Sequence, residues 1–496
     1  MRVLGDPEWQ RVARWFAPLV ITTLAAVLRL TDLSRPHELA FDETYYVKDA
    51  WSLWTLGYEG TWGENANAQI PGGDTSALGD EGSFIVHPPL GKWIIALGMA
   101  VFGPGSSGGW RLSTAILGTA AVLVVYLIAL VMTRSIPVAS IAALLLAVDG
   151  LSIVMSRIAL LDGILTFFVL LGFLFVLLDR RRSMPFLEYR DPESPDPLWG
   201  RIVWRRPWLL AAGVALGAAT AVKWSGLYAL AGLGIYLVVT DALARRRAGV
   251  LFWPTDAVVR QGPVSFLLLV PAALVTYLIS WTGWLVTSGG YDRQSDANPL
   301  VALWNYHQGM YDFHIGLSTG HAYASPAWQW PLLLRPTAVW VDSDDPSCWG
   351  SDHCIAVITA VPNPLIWYAG VAAAVYLMYR FVRGLVERQP MPWEYGIPLV
   401  GLAVTYVPWL VVPGRTIFQF YTVAMMPFLV LALALALRDL AGGRRAPLYR
   451  RQAGERTVMV FLVLALAVSA FFYPLWTGMN VPYTFWLVHN WLPGWV

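Results

Sequence analysis

Long apolar runs separated by short arginine-bearing stretches set the pattern of this chain. Apolar positions continue almost unbroken over about 16–30, 110–132, 136–150, 163–178, 264–286, 364–379 and 457–476. Two longer stretches hold enough apolar residues to cross a bilayer twice each: Trp208 to Val239, turning near Lys223, and Glu394 to Leu437, turning near "PGRTIFQFY". A run of ~20 apolar residues makes a helix that spans the hydrocarbon core. The pattern therefore predicts an all-α polytopic membrane protein with about 11 transmembrane helices. One further apolar segment, about 89–103, is short, holds Lys92 and ends in "GPGSSGG". It is predicted to be a re-entrant or juxtamembrane helix that does not cross.

Arginine placement orients these spans. Arg2, Arg11 and Arg14 precede the first run. Arg180, Arg181, Arg182, Arg190, Arg201, Arg205 and Arg206 fill one loop, and Arg245, Arg246, Arg247 and Arg260 the next. Arg380, Arg383 and Arg388 form a third group, and Arg438, Arg444, Arg445, Arg450, Arg451 and Arg456 a fourth. The positive-inside rule puts all of them in the cytoplasm. An even number of spans must then separate the N-terminus from the loop at about 179–207, which requires 89–103 to stay outside. The expected layout is a transmembrane module over 1–287 with a first external loop at 31–109, an external loop at 288–363, and a second module over 364–496. The N-terminus is read as cytoplasmic, the first run as a retained span with no cleavage site after it, and the C-terminus as external.

Composition agrees. Of 496 residues, 57% are hydrophobic and only 13% charged, about half the charge of a soluble protein of this size. The net charge of +2 gives no nucleic-acid footprint. In this topology all three lysines (Lys48, Lys92, Lys223) and all seven histidines (His37, His87, His307, His314, His321, His353, His489) are external. Cys348 and Cys354 are then in an oxidising compartment, where a disulfide is favoured; a metal site with His353 and Asp352 is the alternative, on irregular ligand spacing.

Polar residues gather at the external boundary. "FDETYY" places Asp42 and Glu43 side by side after the first span, with Tyr45 next to them. "HPPLGKW" brings His87 and Lys92, "WRLSTAILG" brings Arg111, and "SRIALLDG" brings Arg157 and Asp162. "GRTIFQFY" carries Arg415 and Gln419, and Lys223–Trp224 form another turn. Each has a plainer role: Arg111 could snorkel, Arg157 and Asp162 could pair, and Pro88–Pro89 could begin a helix. Together they suit a site where a lipid-linked anion meets an acceptor from water. Cations would hold a phosphate, and a carboxylate would take a proton.

In order, "FDETYY", "HPPLGKW", "SRIALLD", "AVKWSGLY" and "HAYASPAWQWPLLLRP" resemble motifs of the protein O-mannosyltransferases, a resemblance running from Phe41 to about Tyr421. It implies a GT-C glycosyltransferase fold in the cell membrane and inverting transfer of mannose from a polyprenyl-phosphate carrier to Ser or Thr of secreted proteins, including chains met during Sec translocation. It implies Asp42 and Glu43 as the catalytic pair and His87, Lys92, Arg111, Arg157 and Arg415 near the donor phosphate. Asp162, Tyr45, Lys223, Trp224 and Gln419 would line the same cavity. The loop at 288–363 is too short for the β-trefoil domain of eukaryotic members, so contacts made by that domain have no counterpart. No cofactor is implied; a lone acidic pair without D-x-D is a poor metal signal, and a divalent metal stays open. A lipid or polysaccharide acceptor is the alternative within the same fold, and a transporter is the alternative outside it.

Overall fold

The computed structural model describes residues 7–495 except 191–192, 194–196, 344–347, 349, 352, 390–391 and 444–445; in the first helix it describes the side chains of residue 12 and of residue 14 onward. Arg2, Arg444, Arg445 and Asp352 lie outside the described residues. In chain order the first half holds α1 (Pro7–Leu30), α2 (Glu43–Leu56), β1 (Gly60–Trp62), α3 (Ala66–Gln69), β2 (Leu78–Gly82), α4 (Leu90–Phe102), α5 (Ser107–Thr133), α6 (Ile136–Ala147), α7 (Gly150–Arg157), α8 (Leu161–Leu187), α9 (Pro207–Val222) and α10 (Gly226–Arg247). There follow α11 (Trp253–Asp256), α12 (Gly262–Ser280), α13 (Thr282–Val286), α14 (Pro299–Gly316), β3 (Thr337–Asp342), β4 (Cys354–Ala360), α15 (Pro364–Val386), α16 (Gly396–Leu410), α17 (Met426–Ala441), α18 (Leu448–Thr477), β5 (Asn480–Pro482) and α19 (Tyr483–Leu487).

Among the described residues six helices are long and apolar enough to cross a membrane: α5, α8, α10, α11 with α12, α15 and α18; the bent pair α6–α7 makes a seventh. The expectation of about 11 is met only by adding α1 and the shorter apolar helices α9, α16 and α17. The all-helical expectation needs a small addition as well. β1 pairs antiparallel with β2, and β4 lies between β3 and β5 in a three-stranded sheet. Cys348 and Cys354 are joined by a disulfide at the start of β4.

With no water in the bilayer core, helices there pack through close backbone approach rather than hydrophobic drive. The α9 face does this: a Cβ on Gly217 would stand 2.4 Å from the Ala273 carbonyl of α12. The α6–α7 pair bends by 58°. A break inside the bundle exposes helix-end carbonyls that need donors. Arg29, wholly buried, supplies them: its guanidinium donates to the Leu146 and Ala147 carbonyls and to Ser152 Oγ. Asp149 caps α7 by accepting from Ser152 N at 2.9 Å. A second guanidinium, Arg157, closes the end of α1, donating to the carbonyls of Arg29, Thr31 and Asp32.

The segment α4 is a short helix set against α2 and α5. It opens after Pro88–Pro89 and stops at Gly103, whose φ of 85° is left-handed. Its 13 residues reach ~20 Å at 1.5 Å each, short of the ~30 Å hydrocarbon core. Single cysteines Glu81→Cys and Pro104→Cys, one on each side of α4, are expected to react equally with an impermeant thiol reagent in intact cells, since the native pair is held as a disulfide. Labelling of only one of the two would make α4 a span.

Candidate active site

The turn into α2 sets the site. Phe41 adopts φ 51°, a left-handed conformation that costs a bulky residue ~1–3 kcal/mol. Edge-on contacts of its ring with His321, Phe418 and Phe420 hold it there. Asp42 follows at the N-cap position, yet its side chain makes no capping hydrogen bond. Its carboxylate is therefore not spent on the helix. Burial pushes Asp42 up to about 6, with Lys223 opposing and Asp162 adding to the shift.

Glu43 has the opposite fate. It is fully buried and accepts from Ala40 N at 2.9 Å and Ala159 N at 2.8 Å. Arg111 meets it with both edges of the guanidinium, Nε at 2.8 Å and Nη2 at 2.7 Å. The remaining Arg111 donors go to the carbonyls of Leu33, Pro36 and Glu38. A guanidinium has five N–H groups, and these five bonds use them all. Arg111, expected at a donor phosphate, thus has no N–H free for one. The adjacent acidic residues divide: one is locked into the scaffold and the other is not held by a helix-capping bond.

A cavity of about 390 Å³ lies beyond the turn, lined by His87, Asp162, Lys223, Trp224, His314, Arg415 and Tyr421 among others. Lys223 bonds both Asp162 oxygens, at 3.0 and 2.9 Å, and lies over the Tyr421 ring. His87 stacks on His314 with ring centres 5.3 Å apart. His314 Nε2 donates to the Val86 carbonyl at 2.7 Å, which leaves Nδ1 to accept from Arg415 Nη2 at 3.0 Å. Burial pushes His314 down to about 4, with Arg415 beside it acting the same way. Burial likewise takes His87 well below its usual range, helped by Lys223, His314, Lys92 and Arg415. Both imidazoles are neutral at physiological pH. Arg415 keeps a buried Nε with no partner. Among the described residues no group of three or more His, Cys, Asp or Glu is arranged to hold a metal ion.

A second, larger hollow of about 980 Å³ runs between α9, α10, α12 and α14. Its walls include Leu227, Leu230, Val270 and Leu274, and it shares Trp224, Tyr228 and Tyr311 with the polar cavity. Trp224 Nε1 donates to Tyr277 Oη, which donates to His307 Nε2 at 2.6 Å, while His307 Nδ1 faces the Leu303 carbonyl.

Of the residues expected at the site, the structure gathers His87, Asp162, Lys223, Trp224 and Arg415 around one cavity, with Asp42 close enough to feel the Lys223 and Asp162 charges. Others sit elsewhere. Arg157 is taken up by the end of α1. Lys92 is buried against Glu59 and Asp49. Gln419 is fully buried, its amide on the Trp330 carbonyl rather than in the cavity. Tyr45 is 64% exposed, and its neighbour Tyr46 is the one turned inward, 6.3 Å from the His87 ring. Helical spacing carried that signal: Asp42, Tyr46 and Asp49 fall on one face of α2, as His307, Tyr311 and His314 do on α14.

Known proteins resemble the chain along its whole length. Residues 87–286 match the family model described as dolichyl-phosphate-mannose-protein mannosyltransferase, and residues 299–495 match the C-terminal four-span region of protein O-mannosyltransferase. The polyprenol-phosphate-mannose–protein mannosyltransferase of Mycolicibacterium smegmatis is 33% identical over 99% of this chain and 96% of that protein. The protein of the same name from Mycobacterium tuberculosis is 33% identical over 98% and 92%. Among solved structures, the Saccharomyces cerevisiae Pmt1–Pmt2 complex bound to the sugar donor superposes with a TM-score of 0.75 over 97% of this chain and 92% of that one, at 15% identity. The Archaeoglobus fulgidus oligosaccharyltransferase gives 0.51 over 95% and 56%, also at 15% identity.

A test follows for the Glu43–Arg111 pair. Removing one partner strands the other as a buried charge, which costs ~3–5 kcal/mol. Arg111→Ala is expected to lower thermal stability in detergent by that order, while the fraction still folded binds donor as wild type does. A stable Arg111→Ala protein that has lost donor affinity would return Arg111 to the phosphate.

Proposed function

The chain belongs to the protein O-mannosyltransferase family of GT-C membrane glycosyltransferases, and from that premise we propose that it transfers mannose from a polyprenyl-phosphate carrier to Ser or Thr hydroxyls of secreted proteins, with inversion. The observation that carries this reading is that the apolar hollow and the polar cavity are neighbours sharing the wall residues Trp224, Tyr228 and Tyr311. A long hydrocarbon chain fits between α9, α10, α12 and α14, and its phosphate then meets the cavity wall at Trp224, Tyr228 and Tyr311. Arg415 has an unpartnered Nε, and Lys223 lines the same cavity. These are the donor-phosphate groups. His87 and His314, both neutral, wall the phosphate site and orient Arg415. Arg111, Arg157 and Lys92 hold the surrounding backbone.

Transfer is a single displacement. The Asp42 carboxylate accepts the proton of the acceptor hydroxyl as the oxygen attacks the anomeric carbon from the face opposite the phosphate. The bond from that carbon to phosphate oxygen breaks, and its electron pair leaves with the polyprenyl phosphate. The leaving group gains negative charge and needs no proton; Arg415 and Lys223 stabilise it. Asp162 holds Lys223 in place. Glu43 and Arg111 place Asp42 through the α2 turn. The arginine-rich loops face the cytoplasm by the positive-inside rule, so the site opens on the external side of the cell membrane, where chains leaving the Sec channel present their hydroxyls.

Asp42→Asn is nearly isosteric but takes up no proton. Purified Asp42→Asn is expected to bind donor normally and to transfer labelled mannose to a Ser/Thr-rich peptide ~10²–10⁴-fold more slowly. Because burial raises Asp42 to about 6, the wild-type rate should climb as pH rises through that value and the base becomes ionised. Full transfer by Asp42→Asn would end the assignment, and transfer to lipid but not to peptide would change the acceptor class.

A further inference from the structure

Behind the cavity lies a second charged cluster that the transfer chemistry does not use. Lys92, on α4, is wholly buried. Its Nζ bonds the Glu59 carboxylate, donates to the His87 carbonyl at 3.2 Å and stands 3.8 Å from Asp49 Oδ2. Asp49 is 6% exposed and Glu59 4%. Two carboxylates therefore share one ammonium away from water. With both ionised the cluster carries an uncompensated negative charge, which burial makes costly; with one protonated it is neutral. Glu59 has the direct bond to Lys92 and Asp49 the longer approach, so the proton belongs on Asp49.

The cluster is mechanically joined to the donor site. The carbonyl it holds is that of His87, whose ring stacks on His314, which in turn accepts from Arg415. On the opposite side Tyr306 of α14 pins the same loop, its hydroxyl bonded to Ile85 N at 2.9 Å and Ile85 O at 3.1 Å.

Given the transfer reading above, we propose that Asp49 is a positioning residue that tunes donor binding with pH: protonated, it leaves Lys92 tied to Glu59 and the His87 carbonyl; ionised, it draws Lys92 toward itself and frees His87. Burial raises Asp49 to about 7, with Lys92 opposing, Glu59 adding and Lys48 opposing. The other titratable group on the same helix that feels Asp49 is Tyr46, and from α14 it is Tyr306. Burial keeps both phenols well above their usual range, so neither ionises in the same interval. His87 is neutral across it. The sign follows. As pH rises through about 7, Asp49 ionises, His87 loosens and donor affinity falls.

The measurement is equilibrium binding of labelled polyprenyl-phosphate mannose to purified wild type, Asp49→Asn and Glu59→Gln at a series of pH values. Wild-type affinity is expected to fall about three- to tenfold between about pH 6 and pH 8. Asp49→Asn, fixed neutral, should keep one affinity throughout. Glu59→Gln removes the competing charge, leaves Lys92 to Asp49 and should move the fall to lower pH. A pH-independent wild type, or an Asp49→Asn protein that falls as wild type does, overturns the proposal.

A second readout is independent of the donor. A carboxyl with a raised folded-state pKa contributes stability that is lost as pH rises toward that pKa. The unfolding temperature of wild type should therefore drop relative to Asp49→Asn as pH rises from about 4 to about 7, and the difference should level off above that. Absence of that divergence also overturns the proposal. Should wild type bind no mannosyl donor at any pH while the unfolding curves diverge as described, the transfer reading fails and the proton on Asp49 stands.

Discussion

Everything at the site hangs on one ion pair sealed from water, Glu43 with Arg111. A buried carboxylate is tolerable only when its oxygens are met by donors, and Glu43 has four: two from the guanidinium and the backbone N–H groups of Ala40 and Ala159. Arg111 in turn gathers three carbonyls of the loop after α1. The pair thereby joins that loop, the start of α2, the first turns of α5 and the α7–α8 connection. Asp42 is the residue next to the anchor. Its position follows from Glu43 being immovable and from Phe41 being held left-handed by three aromatic rings.

The same economy governs the other buried cations. A membrane bundle that breaks its helices leaves carbonyl groups without water to bond. Arg29 and Arg157 satisfy those carbonyls at the α6–α7 break and at the end of α1. Lys92 serves a carbonyl and two carboxylates. Arg206, at the far end of the bundle, bonds Asp179 and Asp241 in the same manner. Against this background Arg415 stands out, because it lines a cavity, touches a neutral imidazole and retains an unmet donor. A cation is available to a ligand only when the scaffold has not already consumed its hydrogen bonds.

This explains how far the sequence could be read. Apolar runs locate the helices because bilayer thickness dictates their length, and the run over 89–103, no shorter than those at 16–30 and 136–150, was set apart by Lys92, its breaker-rich end and the parity of the arginine loops. Breakers such as Pro88–Pro89 and Gly103 marked its ends. The ordered motifs brought Asp42, His87, Asp162 and Lys223 forward and the polar stretch "GRTIFQFY" brought Arg415; His87, Asp162, Lys223 and Arg415 line one cavity, and Asp42 feels two of its charges. Tyr46 and His314 were within reach of helical spacing. The same spacing puts Asp49 on the Tyr46 face, but its pairing with Lys92 and Glu59 was out of reach, since nothing local marks a carboxylate that will be buried beside a lysine from another helix.

Sequence by itself determined the class of molecule, a many-helix membrane protein of the protein O-mannosyltransferase family, because hydropathy and ordered motifs are local properties of the chain. Only the tertiary structure decided which charged residues are structural and which are free. Glu43 and Asp42 are adjacent and chemically alike, yet one is enclosed by four donors and the other makes no capping bond and feels the charges of Lys223 and Asp162. Arg111, Arg157, Lys92 and Arg415 look equivalent in the sequence as cations near the same boundary. Their roles diverge because hydrogen-bond partners come from residues tens to hundreds of positions away, and burial removes the water that would otherwise make all of them equal.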